Sequence, residues 1–513
     1  MNTPLTPLEP MLRTFAVYPD RPALIQDTAV ICYAELADRT ARLLTLLRES
    51  GLQPGGHVLL ISPNTPDALL AFHAVPLAGG VIVPLNPAFG DEALNFLSVH
   101  ADPQVALIDA AHLPRVQTTL ETLNIPVIVT GDSDLAARLG ALRPSPLKVP
   151  ENLDEDSPIS INYTSGTTSD PKGVMLTHRN AFLCLGNLLY HLNLRPHSVL
   201  LHALPLAHGN GWGCAWAVTA AGATHVPLPD PRGLREALCV QGITHLYASP
   251  ALLTSLTDPA AAATLPQPVK LLLAGTSPNP RVLRTLQQQG FEVLHGYGLT
   301  ETSAVMVVTD EADLGGLPDA PQVLARQGHP MIFGGQLDVV LDSGAAVPHD
   351  GQTPGEIIIR SNLVMKGYYK NRSATRRAIK HGWLHTGDLA VVHPDCRVEI
   401  LDREGDLLKV QGQPVSSAQI EAVLYRHPSV REAVVVAARS SEGDLPVAFV
   451  TLHPGAQVLG RELLGFCAPH LPAHALPRRV QLVPELPKTA SGKVLKHVLR
   501  AQVREKQVVQ PAD

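Results

Sequence analysis

Paired cysteines are what this chain most plainly lacks. Its six cysteines (Cys32, Cys184, Cys214, Cys239, Cys396 and Cys467) lie far apart, so neither a zinc site nor a disulfide framework is expected. A reducing compartment, the cytoplasm, fits that usage. No Lys/Arg cluster stands out, and 40 basic residues against 46 acidic ones give a formal charge of −6. That balance argues against a nucleic acid or an anionic membrane as partner. The first residues, Met1 to Pro7, carry no basic flank or apolar core, so a secretory signal is not expected. The most apolar stretch, 199–223, is interrupted by His202, Pro205, His208, Asn210 and several glycines. It reads as protein interior or pocket wall and not as a membrane span. There is no internal repeat and no long polar tract.

What is present is a chain of 513 residues, 45% hydrophobic and 17% charged, which is more than one core usually serves. Strand-like runs at 58–61, 81–83, 105–108 and 127–129 alternate with helical segments at 36–47 and 67–77, and further runs follow at 242–247, 269–274 and 291–294. This alternation predicts an α/β fold of layered sheets. After about Gly328 the strands shorten and are separated by Asp/Gly turns, which predicts a β-rich subdomain. The compact charged turn from Asp402 to Asp406 lies between apolar runs and marks a boundary. The last hundred or so residues then supply a helix at 418–427 and strands at 433–437 and 447–452, enough for a small α+β unit.

One loop stands apart chemically. Between Tyr163 and Gly173 the sequence reads Tyr-Thr-Ser-Gly-Thr-Thr-Ser-Asp-Pro-Lys-Gly. Glycine lets backbone N–H groups converge, the hydroxyls of Thr164, Ser165, Thr167 and Thr168 add donors, and Lys172 adds a charge that can reach phosphate oxygens. The spacing is not that of the Walker loop, because Pro171 stands where that loop needs glycine. The flanking strands, 158–163 and 174–177, place the polyphosphate site in a hairpin-like nest.

With this loop the chain resembles the adenylate-forming superfamily of acyl-CoA synthetases, peptide-synthetase adenylation domains and firefly-type luciferases. Four more blocks agree in order: His295-Gly296-Tyr297-Gly298-Leu299-Thr300-Glu301, Gly382 to Asp388, Asp402 to Glu421, and Pro487 to Lys493. Weaker matches at 33–36, 84–87 and 355–369 carry the resemblance along nearly the whole chain. It implies a large N-terminal domain (1–402) holding the ATP and acyl sites, a hinge (403–406), and a small mobile C-terminal lid (407–513). The implied activity is ATP-dependent conversion of a fatty, aryl or short aliphatic carboxylic acid to an acyl-AMP, then transfer to coenzyme A. Delivery to a carrier-protein phosphopantetheine, or a retired nucleotide-binding protein, are the alternatives.

The resemblance also assigns roles. Ser165, Gly166 and the rest of the loop would hold ATP phosphates together with Lys172. Glu301 would hold Mg²⁺, since a hard cation wants oxygen ligands, with the Thr300 hydroxyl on phosphate. His295 to Gly298 would border the adenine, Tyr297 stacking on it. Asp388 would accept from the ribose hydroxyls, with Arg403 donating to the sugar or its phosphate. Lys493 would bridge carboxylate and phosphate during adenylation. His208 would stand beside the acyl pocket, with Gly275 to Pro278 on the opposite wall. No aspartate occurs from Leu204 to Ala223 to pair a substrate ammonium, which favours an acid without an α-amine. Gly405 and Pro414 depart from the residues usual in relatives, and Ser416 and Gln419 keep the spacing of a capping box.

Overall fold

The computed structural model describes residues 3–164, 171–240, 242–256, 264–275, 280–310, 323–440, 443–488 and 494–507. Two large sheets dominate the first 330 residues. One has seven strands in the order Gly367–Tyr368, Gly173–Thr177, Pro158–Tyr163, Val81–Leu85, His57–Ile61, Pro103–Asp109 and Val127–Thr130. Its last five strands are parallel, because helices cross over between them, and its first three pair antiparallel. The second sheet has nine strands and carries Phe291–Leu299 and Ala304–Asp310 as an antiparallel pair at one end.

Helices fill the space between these sheets. Pro66–Leu77 opens on Thr65, whose side chain accepts from the Ala68 N–H, with Pro66 in the first turn. Every residue from Ala68 to Leu77 is buried, as a helix with apolar neighbours on all sides requires. It touches strands of the first sheet and the helix Cys214–Ala221, which in turn touches the second sheet. Trp212 and Trp216, both fully buried, meet edge to face 5.0 Å apart in this layer. The 199–223 stretch is therefore interior, as expected.

A third sheet is built from Gln336–Val340, Gly355–Arg360, Trp383–Val392 and Ile379–Lys380, with Val398–Arg403 paired to Trp383–Val392. This is the β-rich region expected after about Gly328. A fourth sheet lies wholly beyond residue 407 and has its own core of Leu408, Ile420, Leu424, Val435 and Val450. Helix Ser417–Leu424 begins on Ser416, whose hydroxyl accepts from the Gln419 N–H at 3.3 Å and donates to the Leu401 carbonyl at 2.8 Å. The cap therefore also ties the helix to the strand before the turn. None of the helices among the described residues is long and apolar enough to cross a membrane.

Candidate active site

The phosphate-loop sequence is carried by a hairpin, as expected. Strands Pro158–Tyr163 and Gly173–Thr177 pair with Tyr163 opposite Gly173, and the Thr164 N–H donates to the Lys172 carbonyl at 3.0 Å, closing the neck. The helix His178–His191 starts directly after the hairpin on a Thr177/Asn180 capping box. Ser165, Gly166, Thr167 and Thr168 lie outside the described residues. Lys172 is half-buried, its ammonium 5.0 Å from the centre of the Tyr368 ring.

Glu301 reaches the same place from the second sheet. After the strand Phe291–Leu299 the chain makes one tight turn, Thr300–Thr302, and continues through Ser303 and Ala304 at φ 58° and 85°. Two non-glycine residues in left-handed conformation are strained and persist only where surroundings hold them. Here the Ser303 hydroxyl donates to the Leu363 carbonyl at 2.7 Å and the Met365 N–H donates to the Glu301 carbonyl at 2.8 Å. The Glu301 carboxylate accepts from the Tyr368 hydroxyl at 2.8 Å. Gly209 abuts Thr300 so closely that a methyl group there would stand 3.1 Å from the Thr300 hydroxyl oxygen. Gly209, next to His208 in the chain, is thus adjacent to Thr300.

Gly296 and Gly298 serve close strand contact. A side chain on Gly296 would stand 2.6 Å from Val305 Cγ1, and one on Gly298 would collide with the Ala304 carbonyl and lie 2.7 Å from Val305 Cα. The side chain of His295 is enclosed. It is 1% exposed and its Nδ1 meets the carbonyls of Leu324 and Arg326 at 3.0 and 3.1 Å. Burial, opposed by those backbone contacts, lowers its pKa to about 4, so the ring is neutral and structural. The reading of His295 as a cofactor contact is therefore corrected for its imidazole.

The block Gly382 to Asp388 is held by a residue that sequence reasoning missed, Glu356. One oxygen accepts from the Gly387 N–H at 3.0 Å and the other meets His385 Nδ1 at 2.7 Å. Gly387 at φ 69° then turns the chain into Asp388. Asp388 is 5% exposed, accepts from the Tyr297 hydroxyl at 2.7 Å, and pairs with Arg403 Nε at 3.3 Å. Burial first, and then Asp388, drives the Tyr297 pKa well above its ordinary value, so the phenol stays protonated as the donor. Tyr297 is 8% exposed and its hydroxyl is committed to Asp388.

Lys493 lies outside the described residues, as do Thr276, Ser277 and Pro278. Lys488 and Val494, on either side of the Lys493 segment, form a bridge, and helix Lys496–Gln507 follows. That helix is fastened to the charged turn. Lys496 Nζ lies 3.0 Å from Glu421 Oε1 and 4.0 Å from Asp402 Oδ1, and it donates to the Ser417 hydroxyl at 2.5 Å. Arg500 pairs with Asp406. In this state Gly405 has an ordinary φ, and a methyl group on it would meet nothing within 4 Å. Lys366, Lys370, Arg372, Arg376, Arg377 and Lys380 are all exposed, a basic run that departs from the expectation of no Lys/Arg cluster.

The family model described as AMP-binding enzyme matches residues 12–369, and that described as AMP-binding enzyme C-terminal domain matches 419–493. A peroxisomal benzoate–CoA ligase of Arabidopsis thaliana is 34% identical, over 97% of this chain and 93% of its own. An acetate–CoA ligase of Humulus lupulus is 35% identical, over 98% and 95%. The crystal structure of ATP-bound MatB from Rhodopseudomonas palustris superposes with a TM-score of 0.86 at 25% identity, covering 97% of this chain and 99% of that one. The matches span both the large and the small unit, and the chain belongs to the AMP-binding enzyme family, the adenylate-forming superfamily.

Proposed function

We propose that this member of the family is an AMP-forming acid–CoA ligase whose substrate is a small apolar carboxylic acid, aryl or short aliphatic, without an α-amine. ATP activates the acid as its acyl-AMP, and coenzyme A then receives the acyl group. Relatives named for benzoate and acetate support that range of acids. So does the wall next to Thr300, where the segment running on from His208 buries Trp212, Cys214 and Trp216 and offers no carboxylate for an ammonium. The observation that carries the reading is convergence: the neck of the phosphate loop with Lys172, Glu301 beside Tyr368, and the Tyr297–Asp388–Arg403 group arise from three different sheets.

A carboxylic acid of pKa ~4 is ionised at neutral pH, so no general base is needed. The barrier is anion approaching anion, and the remedy is charge placement. Lys172 and the loop hydroxyls take the charge of the departing pyrophosphate. Asp388, kept in place by Tyr297 and Arg403, receives the ribose hydroxyls. Lys493 steadies the substrate carboxylate against the α-phosphate while the carboxylate oxygen displaces pyrophosphate. Among the described residues no three His, Cys, Asp or Glu side chains gather to hold a metal. The carboxylate this reading offers is Glu301, which would suit Mg²⁺, a cation that usually keeps waters and shares substrate phosphates. When bound, Mg²⁺ supplies charge neutralisation and orientation of those phosphates.

The units that divide this work are 1–402 and 407–513, with 403–406 as the hinge. Rotation there would withdraw Lys493 and admit the thiol, which attacks the acyl carbonyl and expels AMP. Six free thiols support residence in a reducing compartment such as the cytoplasm. Lys493→Ala tests the division of labour. Acyl-AMP formation should be lost while thioester formation from supplied acyl-AMP is largely retained, and equal loss of both half-reactions would refute it.

A further inference from the structure

We propose that Tyr368 is a positioning residue for the ATP half-reaction, its hydroxyl setting the Glu301 carboxylate and its ring face holding the Lys172 ammonium. The inference rests on the reading of Glu301 as the metal carboxylate. Tyr368 belongs to a segment tied to both halves of the site. Gly367–Tyr368 pairs antiparallel with the strand that leaves the phosphate loop, Tyr368 opposite Val174. On either side, the Lys366 N–H donates to the Met175 carbonyl at 3.0 Å and the Tyr369 N–H to the Gly173 carbonyl at 2.7 Å. The same segment reaches Glu301 twice, by the Met365 N–H at 2.8 Å and by the Tyr368 hydroxyl at 2.8 Å. The Tyr368 N–H donates to the Thr375 hydroxyl at 2.9 Å, and the residue is 8% exposed, so the ring has little freedom.

The chemistry of the arrangement separates two opposite charges. If Lys172 and Glu301 met directly, each would satisfy the other and neither would be left for phosphate or metal. With the phenol between them, each is engaged by a weaker partner, a ring face on one side and a neutral hydroxyl on the other. The phenol donates to one Glu301 oxygen, and that bond directs the second. A buried tyrosine that merely needs an acceptor would show the same hydrogen bond, and metal-linked ATP binding tells the two apart.

Calorimetric titration of ATP into the full chain, with Mg²⁺ and with EDTA, gives the gain in affinity due to the metal. For Tyr368→Phe that gain should fall about tenfold, the lower end of what losing a hydrogen-bond partner of a metal ligand costs. Metal-free ATP affinity should stay within about twofold. Tyr368→Leu, which also removes the ring face, should in addition weaken metal-free ATP binding by about two- to fivefold. A Tyr368→Phe protein that keeps the full metal-dependent gain, while Glu301→Gln loses it, overturns the inference alone. If Glu301→Gln also keeps it, the metal reading of Glu301 has failed and the inference with it. Should Tyr368→Leu not fold, the Tyr368→Phe result decides.

Discussion

Lys496 offers the sharpest test of how the C-terminal unit is fixed. Its ammonium and the Glu421 carboxylate are each 17% exposed and 3.0 Å apart, and Ser417 relays to Asp402 through a 2.5 Å bond. Burial pulls the Lys496 pKa down, but Glu421, Asp402 and Asp406 together outweigh it, so the group is charged. Lys496→Met keeps the aliphatic stem and strands Glu421, which also accepts from the Val435 N–H at 2.8 Å. Breaking such a pair from one side costs about 3–5 kcal/mol, whereas neutralising both sides is far cheaper. Lys496→Met/Glu421→Gln should therefore recover most of the loss, measured by urea unfolding of the C-terminal transition. Burial already raises the Glu421 pKa, and loss of the lysine raises it further. A carboxyl raised on folding destabilises above its folded pKa and ceases to do so below the unfolded value of about 4.3. The deficit of the single variant relative to the double should thus shrink as pH falls from 7 toward 5. Equal stability of single and double variants at pH 7 would refute the reasoning.

Acid should loosen the large unit through its buried histidines. Thr219 joins His73 to His225, and His225 meets His202 directly, by bonds of 2.8 to 2.9 Å, and burial lowers the pKa of His73 to about 4, of His202 to about 3, and of His225 well below the ordinary value. The unfolded chain binds these protons first, so stability is complete above about pH 6.5 and falls below it, by about 1.4 kcal/mol per histidine at pH 5.5. Unfolding midpoints that do not move between pH 7.5 and 5.5 would contradict this. Gly298→Ala forces a methyl group into the backbone of Ala304 and should cost about 2–3 kcal/mol and depress acyl-AMP formation, read by denaturation and by pyrophosphate exchange. Gly405→Ala should change stability by no more than about 0.5 kcal/mol and spare acyl-AMP formation. A slower thioester step in that variant would show that the rotation, not this state, needs glycine; loss of the first step would contradict the open surroundings seen here.

The large α/β unit, the hairpin that carries the phosphate loop and the β-rich sheet were legible because strand runs, Gly/Pro punctuation and ordered motifs are local signals. Side-chain direction was not. His295 belongs to a motif block by sequence, yet its imidazole is consumed by the carbonyls of residues 324 and 326. Tyr368 ends the weak block at 355–369 and has no chemistry of its own until the sheet lays it between Lys172 and Glu301. Glu356 and Lys496 act on partners 31 and 75 residues away respectively, Gly387 and Glu421, a relation no single sequence displays. Gly405 reads as a conformational device, and in this state its φ is ordinary and a methyl group on it would meet nothing within 4 Å.

The claim beneath all of this is that Lys172, Glu301 and Lys493 let a carboxylate attack ATP. It is tested most directly by exchange of radiolabelled pyrophosphate into ATP, with Mg²⁺ and a panel of aryl and short aliphatic acids. Exchange that requires both the protein and one of these acids, followed by AMP release when coenzyme A is added, is the predicted result. ATP binding without exchange for any acid would contradict it.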